Sequence, residues 1–588
     1  MQGIRPRLVM ILSLALMAGC ATAPAATTSQ SQPAASGGQA QTAPAQERTL
    51  NVGVRTEPIT ASARPLQSVG IKVKFITRLF NASFDLIDDK GSARPYLAEA
   101  LPQLGTDTWK VNADGTMDTS YHLKPNLTWH DGQPLTADDF VFAWKVFTNP
   151  SLGGGASSPP FSLVDNVSAP DPRTVVIHWN KLYPRAGVLQ ETGTPSNFPP
   201  LPQHVLDNAY QKATQDSNWD AFAAQPFWTR EFIGAGPYRL TRWDAGSAIE
   251  ATAFDQHVLG KPKIDKIRVT FGGDANAVLA NLLAGAIDMA ADDGVGFLQG
   301  IEAKREFPSR GGGTLLFTTD QWRATYFQFR PEMVSPAALL QLPIRQALAS
   351  SLDRQALNDT IYSGEGVMTD TMLPPTVDYY QTIDRAITKY PYDLRRTEQL
   401  MTQAGFTRGA DGVWASPTEG RMSFELKVNA SPQYESERSI IAAGWRQAGF
   451  EVSENTLPAS QTQDGQARAT FPGLYSFSSG VGESAVPNFV TTAIPRPENR
   501  WTGTNRGGWA NPAYDKLIDT FNSTLDRNQR IQQMAQLTKT ITDELPTMSM
   551  YYDLGAFPFG AQLRGPVPVS PDATGLVAWN VTDWEIVR

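Results

Sequence analysis

The histidines of this chain are not spaced as ligands of a hydrolytic zinc site. There are five, His122, His130, His178, His204 and His257, and no two stand four residues apart, as a ligand pair on one helix face would. The chain also has no Gly-x-Ser-x-Gly elbow and no Walker-type phosphate loop. We therefore expect no catalytic site, no metal and no cofactor, and predict that the protein is not an enzyme.

Two further patterns favour structural roles over chemistry. Gly480-Val-Gly-Glu-Ser-Ala485 is similar to a dinucleotide-binding loop, but Val486-Pro487 follow where a helix should begin. We predict a loop at this position. The acidic pairs Asp138-Asp139 and Asp292-Asp293 indicate helix caps or solvated turns.

The composition is that of a globular protein with more than one core. The chain has 588 residues, of which 41% are hydrophobic, and this length exceeds what a single core usually supports. A formal net charge of −8 argues against nucleic acid as a partner, because phosphates need a basic surface. The chain has one cysteine, so no internal disulfide holds the fold.

That cysteine, Cys20, ends a segment typical of export signals. Arg5 and Arg7 precede an apolar run over residues 8–17, which is too short to span a bilayer as a helix. The segment resembles a bacterial lipoprotein signal, residues 1–20, in which the cysteine is acylated and becomes the mature N-terminus. An ordinary secretory signal with an incidental cysteine is the alternative.

Residues 21–48 are almost wholly Ala, Thr, Ser, Gln, Pro and Gly. Such a segment cannot bury enough apolar surface to offset the entropy of ordering. We predict a disordered tether behind the anchor.

The rest of the chain predicts alternating strands and helices. Residues 50–54 alternate like a first strand, and Asp114-Gly115 predicts a hairpin turn. Thr136 is a predicted helix N-cap, and Asp393 caps a second helix that ends at Gly405. The later half continues in helix–strand units, which indicates an α/β fold.

Four separated stretches occur in order along this part of the chain. They are residues 95–102 with 123–140, residues 234–240 with 282–288, residues 344–354, and residues 511–517. Together they resemble the peptide/nickel class, family 5, of extracytoplasmic solute-binding proteins of bacterial ABC importers. The resemblance covers nearly everything from residue 49 onward.

This resemblance implies a bilobal α/β fold of the type II periplasmic-binding-protein kind, with an extra domain inserted in the first lobe. A ligand would bind in the cleft between the lobes, which close over it by a hinge motion. The boundaries we expect are 49–92, 232–316 and 547–588 for lobe I, 93–231 for the inserted domain and 317–546 for lobe II.

The sequence departs from the family at two positions that concern the ligand. Family peptide binders often carry Trp-x-x-Asp after a strand of lobe II, where the Asp neutralises the α-ammonium of the peptide. The matching residues 474–483 have neither Trp nor Asp, so we expect recognition without α-amine capture, with Glu483 as a displaced anion or a solvated glutamate. Arg330 stands where relatives commonly have Asn, and it would favour an anionic ligand group if it faces the cleft; a surface arginine is the alternative.

Aromatic side chains on loops between the lobes are the candidates for direct ligand contact. Flat rings offer apolar contact at low entropic cost, and Tyr and Trp add a polar tip. Packing in the core is the alternative for each of them, and Glu57, after the first strand, is a weaker candidate. The aromatic candidates are Trp322, Tyr326, Tyr475, Phe477, Trp501 and Trp509.

The function implied is that of a substrate-binding subunit that captures a peptide or peptide-like solute and delivers it to membrane permeases. The lipid anchor would hold it on the outer side of the cell membrane, and we expect a monomer. A ligand-sensing or chaperone lipoprotein on the same fold is one alternative. An extracytoplasmic hydrolase that uses Glu57 and Glu483 is another, although no spacing supports it.

Overall fold

The computed structural model describes residues 47–64, 66, 74–152, 160–189, 198–462, 464–568 and 577–587. The predicted export signal, Cys20 and all but the last two residues of the predicted tether lie outside the described residues.

Helices and strands alternate along the described chain, as the sequence predicts. The helices are α1 Lys74–Phe80, α2 Ala137–Phe147, α3 Gln203–Asp216, α4 Trp219–Ala223, α5 Ala275–Leu283, α6 Phe297–Glu306, α7 Leu342–Ser350, α8 Arg354–Tyr362, α9 Tyr380–Ala386, α10 Leu394–Gln403, α11 Pro432–Gln447, α12 Gly465–Ala469, α13 Pro512–Ser523 and α14 Arg527–Glu544.

The strands include two that are much longer than the others, β12 and β20. The strands are β1 Thr49–Val54, β2 Asp85–Ile87, β3 Ala93–Pro95, β4 Trp109–Val111, β5 Met117–His122, β6 Val164–Asp171, β7 Thr174–Trp179, β8 Tyr238–Asp244, β9 Ala248–Ala253, β10 Lys266–Phe271, β11 Met289–Ala290, β12 Gly313–Phe327, β13 Val367–Met368, β14 Thr407–Arg408, β15 Trp414–Ser416, β16 Gly420–Arg421, β17 Ser423–Asn429, β18 Glu451–Leu457, β19 Leu474–Ser479, β20 Thr547–Gly560, β21 Leu563–Arg564 and β22 Glu585–Ile586.

One large mixed sheet runs through both lobes. Its order is β18-β17-β19-β12-β20-β11-β1-β10-β9-β8, and β13 pairs with β20 beside it. The strands β8 to β11 and β1 belong to the lobe I side, and β17 to β19 belong to the lobe II side. A separate sheet of order β4-β5-β7-β6 lies within the predicted inserted domain.

The strands β12 and β20 connect the two sides of the large sheet. They pair antiparallel from Gly313 with Gly560 to Tyr326 with Thr547. The lobe I end of β20 pairs with β11, and the lobe II end of β12 pairs with β19. The register shifts between Thr319 and Gln321, which marks an irregular point where a long strand can bend.

The lobe boundaries stay predictions. One of them, at residue 547, coincides with the start of β20. Residues 547–552 of β20 pair with the lobe II end of β12, on the far side of the register shift. The position of the second crossing, which the sequence predicts at residue 547, stays a prediction.

The lobe II part of the sheet is covered on both faces. Side chains of β12 alternate, so Trp322, Ala324 and Tyr326 enter one hydrophobic core. Phe327 and Met550 enter another core, which includes residues of α7, α10 and α11. Lobe II is therefore a three-layer α/β structure.

Local signals in the sequence are confirmed. Gly115 takes a positive φ of 87° in the β4–β5 turn, and Gly405 takes one of 85° after α10. The Thr136 N–H donates to Asp139 at 2.9 Å in the capping box of α2. Asp393 caps α10 by accepting from two N–H groups of the first turn.

Two other predictions have a different outcome. Residues 482–489 form a 3₁₀ helix, so the loop predicted at residues 480–485 is wrong in its second half. Asp292 accepts from the Phe75 N–H at 2.8 Å, in the first turn of α1, as a helix cap should.

Gly234 and Gly236 hold the chain against α1 where it leaves the inserted domain. A Cβ on Gly234 would lie 1.9 Å from the Phe80 carbonyl oxygen, and one on Gly236 would lie 2.4 Å from the Phe80 carbonyl carbon. The chain therefore passes so close to α1 that no side chain fits at either position.

Within the described part of the chain, we find no helix with the length and apolar character needed to cross a membrane.

Candidate functional site

A cavity of about 580 Å³ lies between residues 163–185, within the predicted inserted domain, and residues 483–530, within predicted lobe II. One wall is the segment after β7, residues 181–185. The other wall is formed by the 3₁₀ helix Gly482–Phe489, the end of α13 and the start of α14. Its charged lining residues are Lys181, Arg185, Glu483, Asp519 and Arg530.

Glu483 is the sequence-predicted site residue that lines this cavity. Its carboxylate accepts from Arg530 Nη2 at 2.7 Å and from the Tyr379 hydroxyl at 3.0 Å. The side chain is 33% exposed. Glu483 is therefore a cavity anion with a cation already beside it, and the solvated loop glutamate that the sequence left as an alternative does not describe it.

Arg530 is held in place by its surroundings. Another of its Nη atoms donates to the Phe521 carbonyl at 2.6 Å, and its guanidinium lies 3.9 Å from the centre of the Phe521 ring. The side chain is 13% exposed. A guanidinium fixed by a carboxylate, a carbonyl and a ring face has little freedom to leave the cavity wall.

Tyr183 stands on the opposite wall. Burial raises the pKa of its phenol, and the positive charges of Arg185 and Arg530 act on that pKa in the opposite direction. Since Arg530 belongs to α14, its field reaches across the cavity to the inserted domain. The cavity thus presents charges of both signs, together with a phenol, to whatever occupies it.

Five of the six aromatic candidates lie in the lobe II core. They do not line the cavity, and each is at most 3% exposed. These residues are Trp322, Tyr326, Tyr475, Phe477 and Trp509.

The polar tips of these rings bond to the protein itself in most cases. Tyr326 stacks on Phe477 with ring centres 3.8 Å apart and donates to the Thr504 carbonyl at 2.9 Å. Tyr475 donates to Asn429 at 2.8 Å. Trp509 donates to Glu544 at 3.0 Å. This arrangement favours core packing, the alternative that the sequence left open for them.

Trp322 differs from the others in one respect. It is fully buried, and its indole nitrogen has no hydrogen-bond partner among the described residues. A buried donor without a partner is uncommon in a core, so the role of Trp322 as a ligand contact stays a prediction.

Arg330 is buried and engaged by the protein. Its Nη1 donates to the carbonyls of Ala469 and Arg506, at 3.2 and 2.8 Å, and its Nη2 donates to the Pro495 carbonyl at 3.0 Å. Burial lowers the pKa of the guanidinium. Arg330 cross-links three backbone segments, so we do not carry it into the candidate site as an anion receptor.

Trp501 and Glu57 complete the predicted set. Trp501 is half-buried and has a positive φ of 60°, which is unusual for a bulky residue. Glu57 accepts from the Trp243 indole at 2.6 Å and from the Gly246 N–H at 2.8 Å. It therefore ties the loop after β1 to the β8–β9 hairpin, and neither residue lines the cavity.

Most of the charged cavity lining could not be predicted from the sequence. Lys181, Arg185, Asp519 and Arg530 belong to no motif and lie far from Glu483 in the chain. Only the packing of the inserted domain against α13 and α14 brings them together. The described residues contain no group of three or more His, Cys, Asp or Glu side chains that could hold a metal ion.

A family model described as bacterial extracellular solute-binding proteins, family 5, middle, matches residues 99–493. The match covers more than half of the chain. The chain belongs to this family. The resemblance that the sequence motifs indicate is therefore confirmed.

This family 5 solute-binding protein has relatives of similar length. It is 24% identical over 483 residues to the oligopeptide-binding protein AppA of Bacillus subtilis, with 79% of each chain covered. It is also 24% identical over 502 residues to the dipeptide-binding protein of Escherichia coli, where 79% of this chain and 83% of the relative are covered.

Solved structures show the fold of the family 5 protein. NikA from Brucella suis, in complex with Fe(III)-EDTA, matches with a TM-score of 0.72 at 16% identity and covers 92% of this chain and 100% of its own. AppA from Bacillus subtilis, in complex with a nonapeptide, matches with a TM-score of 0.66 at 20% identity and the same coverage. The bilobal type II fold predicted from the sequence is confirmed.

Proposed function

We propose that this protein is the substrate-binding subunit of an ABC importer and that it captures a peptide or peptide-like solute without changing it chemically. The cavity between the inserted domain and lobe II carries the proposal. Its volume of about 580 Å³ falls within the range of small-molecule sites, roughly 300–1,000 Å³. Two relatives are named for oligopeptide and dipeptide binding, which supports the same ligand class.

The charges of the cavity suit a solute that carries both signs. Glu483 can receive a cationic group, while Lys181, Arg185 and Arg530 can receive a carboxylate. Tyr183 adds an aromatic surface beside them. A short peptide with free ends or charged side chains carries both a cationic group and a carboxylate.

The two crossing strands supply the closure that such a site needs. Because β12 and β20 pair with each other along both lobes, bending near Thr319 and Asp553 would change the distance between the cavity walls. Ligand bound to both walls would favour the closed form.

The remaining parts of the proposal rest on residues outside the described part. We propose that Cys20 is acylated, that residues 21–48 form the tether, and that the monomeric protein delivers its solute to permeases from the outer side of the cell membrane. A sensor on the same fold would keep the anchor and the cavity. It would differ in leaving uptake of the solute unchanged when the gene is deleted.

The test is mass spectrometry of small molecules released from the natively produced protein, followed by melting curves with tri-alanine. A bound solute that is not degraded should raise the melting temperature. Saturating the native state at a hundredfold excess over Kd adds about 2.7 kcal/mol. Release of hydrolysed peptide in more than one equivalent would contradict the proposal in favour of a hydrolase.

A further inference from the structure

Arg330 brings two other arginines together in lobe II. By donating to the carbonyls of Ala469 and Arg506, its guanidinium joins the end of α12 to the loop before α13. The same two segments meet again where a Cβ on Gly465 would lie 2.3 Å from the Trp501 carbonyl oxygen. Arg468, next to Ala469, and Arg506 are therefore neighbours.

The positive charge of Arg468 acts on the guanidinium group of Arg506. Burial lowers the pKa of Arg506, and the positive charge of Arg468 lowers it further, while the hydroxyl groups of Tyr326 and Tyr475 act in the opposite direction. Both arginines are half-buried residues.

A third cation stands behind the pair. Lys427, on β17, is buried and donates to the Ala467 carbonyl of α12 at 3.3 Å. The negative charge of Glu425 acts on Lys427, and Asn455 donates to Glu425 at 2.8 Å. The Glu425 carboxylate thus acts on the lysine.

Among the described residues neither arginine forms an ion pair with a carboxylate, and Arg506 has a side-chain hydrogen bond with Tyr326. Asp464, the nearest acid in sequence to Arg468, is used as the cap of α12 and accepts from the Gln466 and Ala467 N–H groups. The Nε of Arg468 is buried and has no hydrogen-bond partner there. Buried donors are normally satisfied, so this one indicates a missing acceptor.

We propose that Arg468 and Arg506 form an oxyanion-binding site in lobe II. Guanidinium groups offer forked N–H donors, which match the oxygens of a sulfate, phosphate or carboxylate group, and Arg330 joins the two segments that carry them. Lys427 adds positive charge behind them. The site shares no residue with the lining of the cavity between the inserted domain and lobe II, so it goes beyond the proposed function.

The experiment is a series of melting curves of the whole protein with sodium sulfate, in which sodium chloride keeps the ionic strength constant. In the wild type, millimolar sulfate should raise the melting temperature along a saturating curve. Arg468→Gln and Arg506→Gln should each raise the sulfate concentration at half-saturation by tenfold or more. Arg421→Gln changes an exposed arginine that pairs with Asp411 and Glu451, and it should behave as the wild type.

Sulfate also stabilises proteins by exclusion from their surface, which gives a rise that is linear and the same in every variant. A linear rise shared by the wild type and all variants would overturn the site. If Arg506→Gln melts early in chloride alone, Arg506→Lys keeps the charge and should retain part of the sulfate response. Sodium phosphate and sodium acetate, titrated in the same way, show whether a tetrahedral oxyanion or a carboxylate is preferred.

Titration of the same variants with tri-alanine separates this site from the proposed function. Saturable sulfate binding that depends on both arginines, without any peptide binding, would support the oxyanion site and count against the proposed solute. Peptide binding in the absence of a saturable sulfate response would support the proposed function and overturn the oxyanion site.

Discussion

Arg530 and Glu483 form the charge pair that defines the cavity at the scale of residues. The pair is partly exposed, so solvent screens it and its contribution to stability is small, about 1 kcal/mol or less. We expect the pair to contribute more to ligand binding, because a ligand that covers the cavity also removes water from the pair. Arg530 should therefore affect binding more than folding.

We expect Arg530→Gln to weaken the binding of tri-alanine by about tenfold, which is roughly 1.4 kcal/mol. The change removes one of three cations that can receive the peptide carboxylate. Isothermal titration calorimetry measures the loss, and Arg527→Gln provides a matched control because Arg527 lies on the same helix in an exposed pair with Asp378. Equal affinities for both variants would contradict a ligand role of Arg530.

His130 gives the fold a dependence on pH. The Gly234 N–H donates to its Nδ1 at 3.2 Å, so the neutral ring carries its proton on Nε2, which faces the Gly236 carbonyl at 3.1 Å. Burial lowers the pKa of His130 from 6.5 to about 4. Between these values the unfolded chain binds a proton that the folded chain does not.

The contribution of His130 to stability is therefore present above pH 6.5 and is lost as the pH falls toward 4. From pH 7 to pH 5 the loss should be about 2 kcal/mol. Urea unfolding at both pH values, in the wild type and in His130→Gln, isolates this contribution from those of other groups. The prediction fails if the difference between the two proteins is the same at pH 7 and pH 5.

At the scale of elements, caps and turns could be predicted and long-range pairing could not. Thr136, Asp393 and Gly405 act on their own helices, so a few neighbouring residues contain the signal. The crossing of β12 and β20 pairs residues more than two hundred positions apart. No local pattern marks this pairing, so it could not be predicted from the sequence.

Gly234 and Gly236 are an intermediate case, because a glycine can indicate close packing but does not identify the partner. A Cβ on Gly236 would also lie 2.5 Å from the Leu79 carbonyl oxygen, and backbone atoms cannot move aside as a side chain can. We expect Gly236→Ala to lower the free energy of unfolding by about 2 kcal/mol or more. Urea unfolding measures the change.

Gly444→Ala is the control for that substitution. Gly444 lies in α11 with no other atoms within 4 Å of an added Cβ, apart from the backbone of its own helix. Alanine should therefore stabilise the helix, by up to about 1 kcal/mol. A lower free energy of unfolding in Gly236→Ala and a higher one in Gly444→Ala would confirm that the close approach to α1 causes the destabilisation, and not the loss of glycine as such.

At the scale of the whole molecule, family membership and the bilobal fold followed from motifs, whereas the cavity did not. Its walls come from residues 163–185 and 483–530, and the charges on them have no spacing in common. The ring type of the aromatic candidates suits a binding cleft. Alternation along β12 and β19 directs most of those rings into the lobe II core, where they pack on one another.

The proposed anchoring of the molecule depends on Cys20, which follows the apolar run of the predicted export signal and is the one cysteine of the chain. An acyl chain gains about 0.8 kcal/mol for each buried CH₂ group, so more than one chain on the cysteine holds the protein firmly at the membrane. We expect Cys20→Ser to block acylation. Fractionation of cells should then show either release of the protein or retention through an uncleaved signal, and intact mass spectrometry of the N-terminus separates these two results. Detection of an unmodified Cys20 in the mature, membrane-bound wild type would contradict the lipid anchor, and an interaction with the permeases would then have to hold the protein at the membrane.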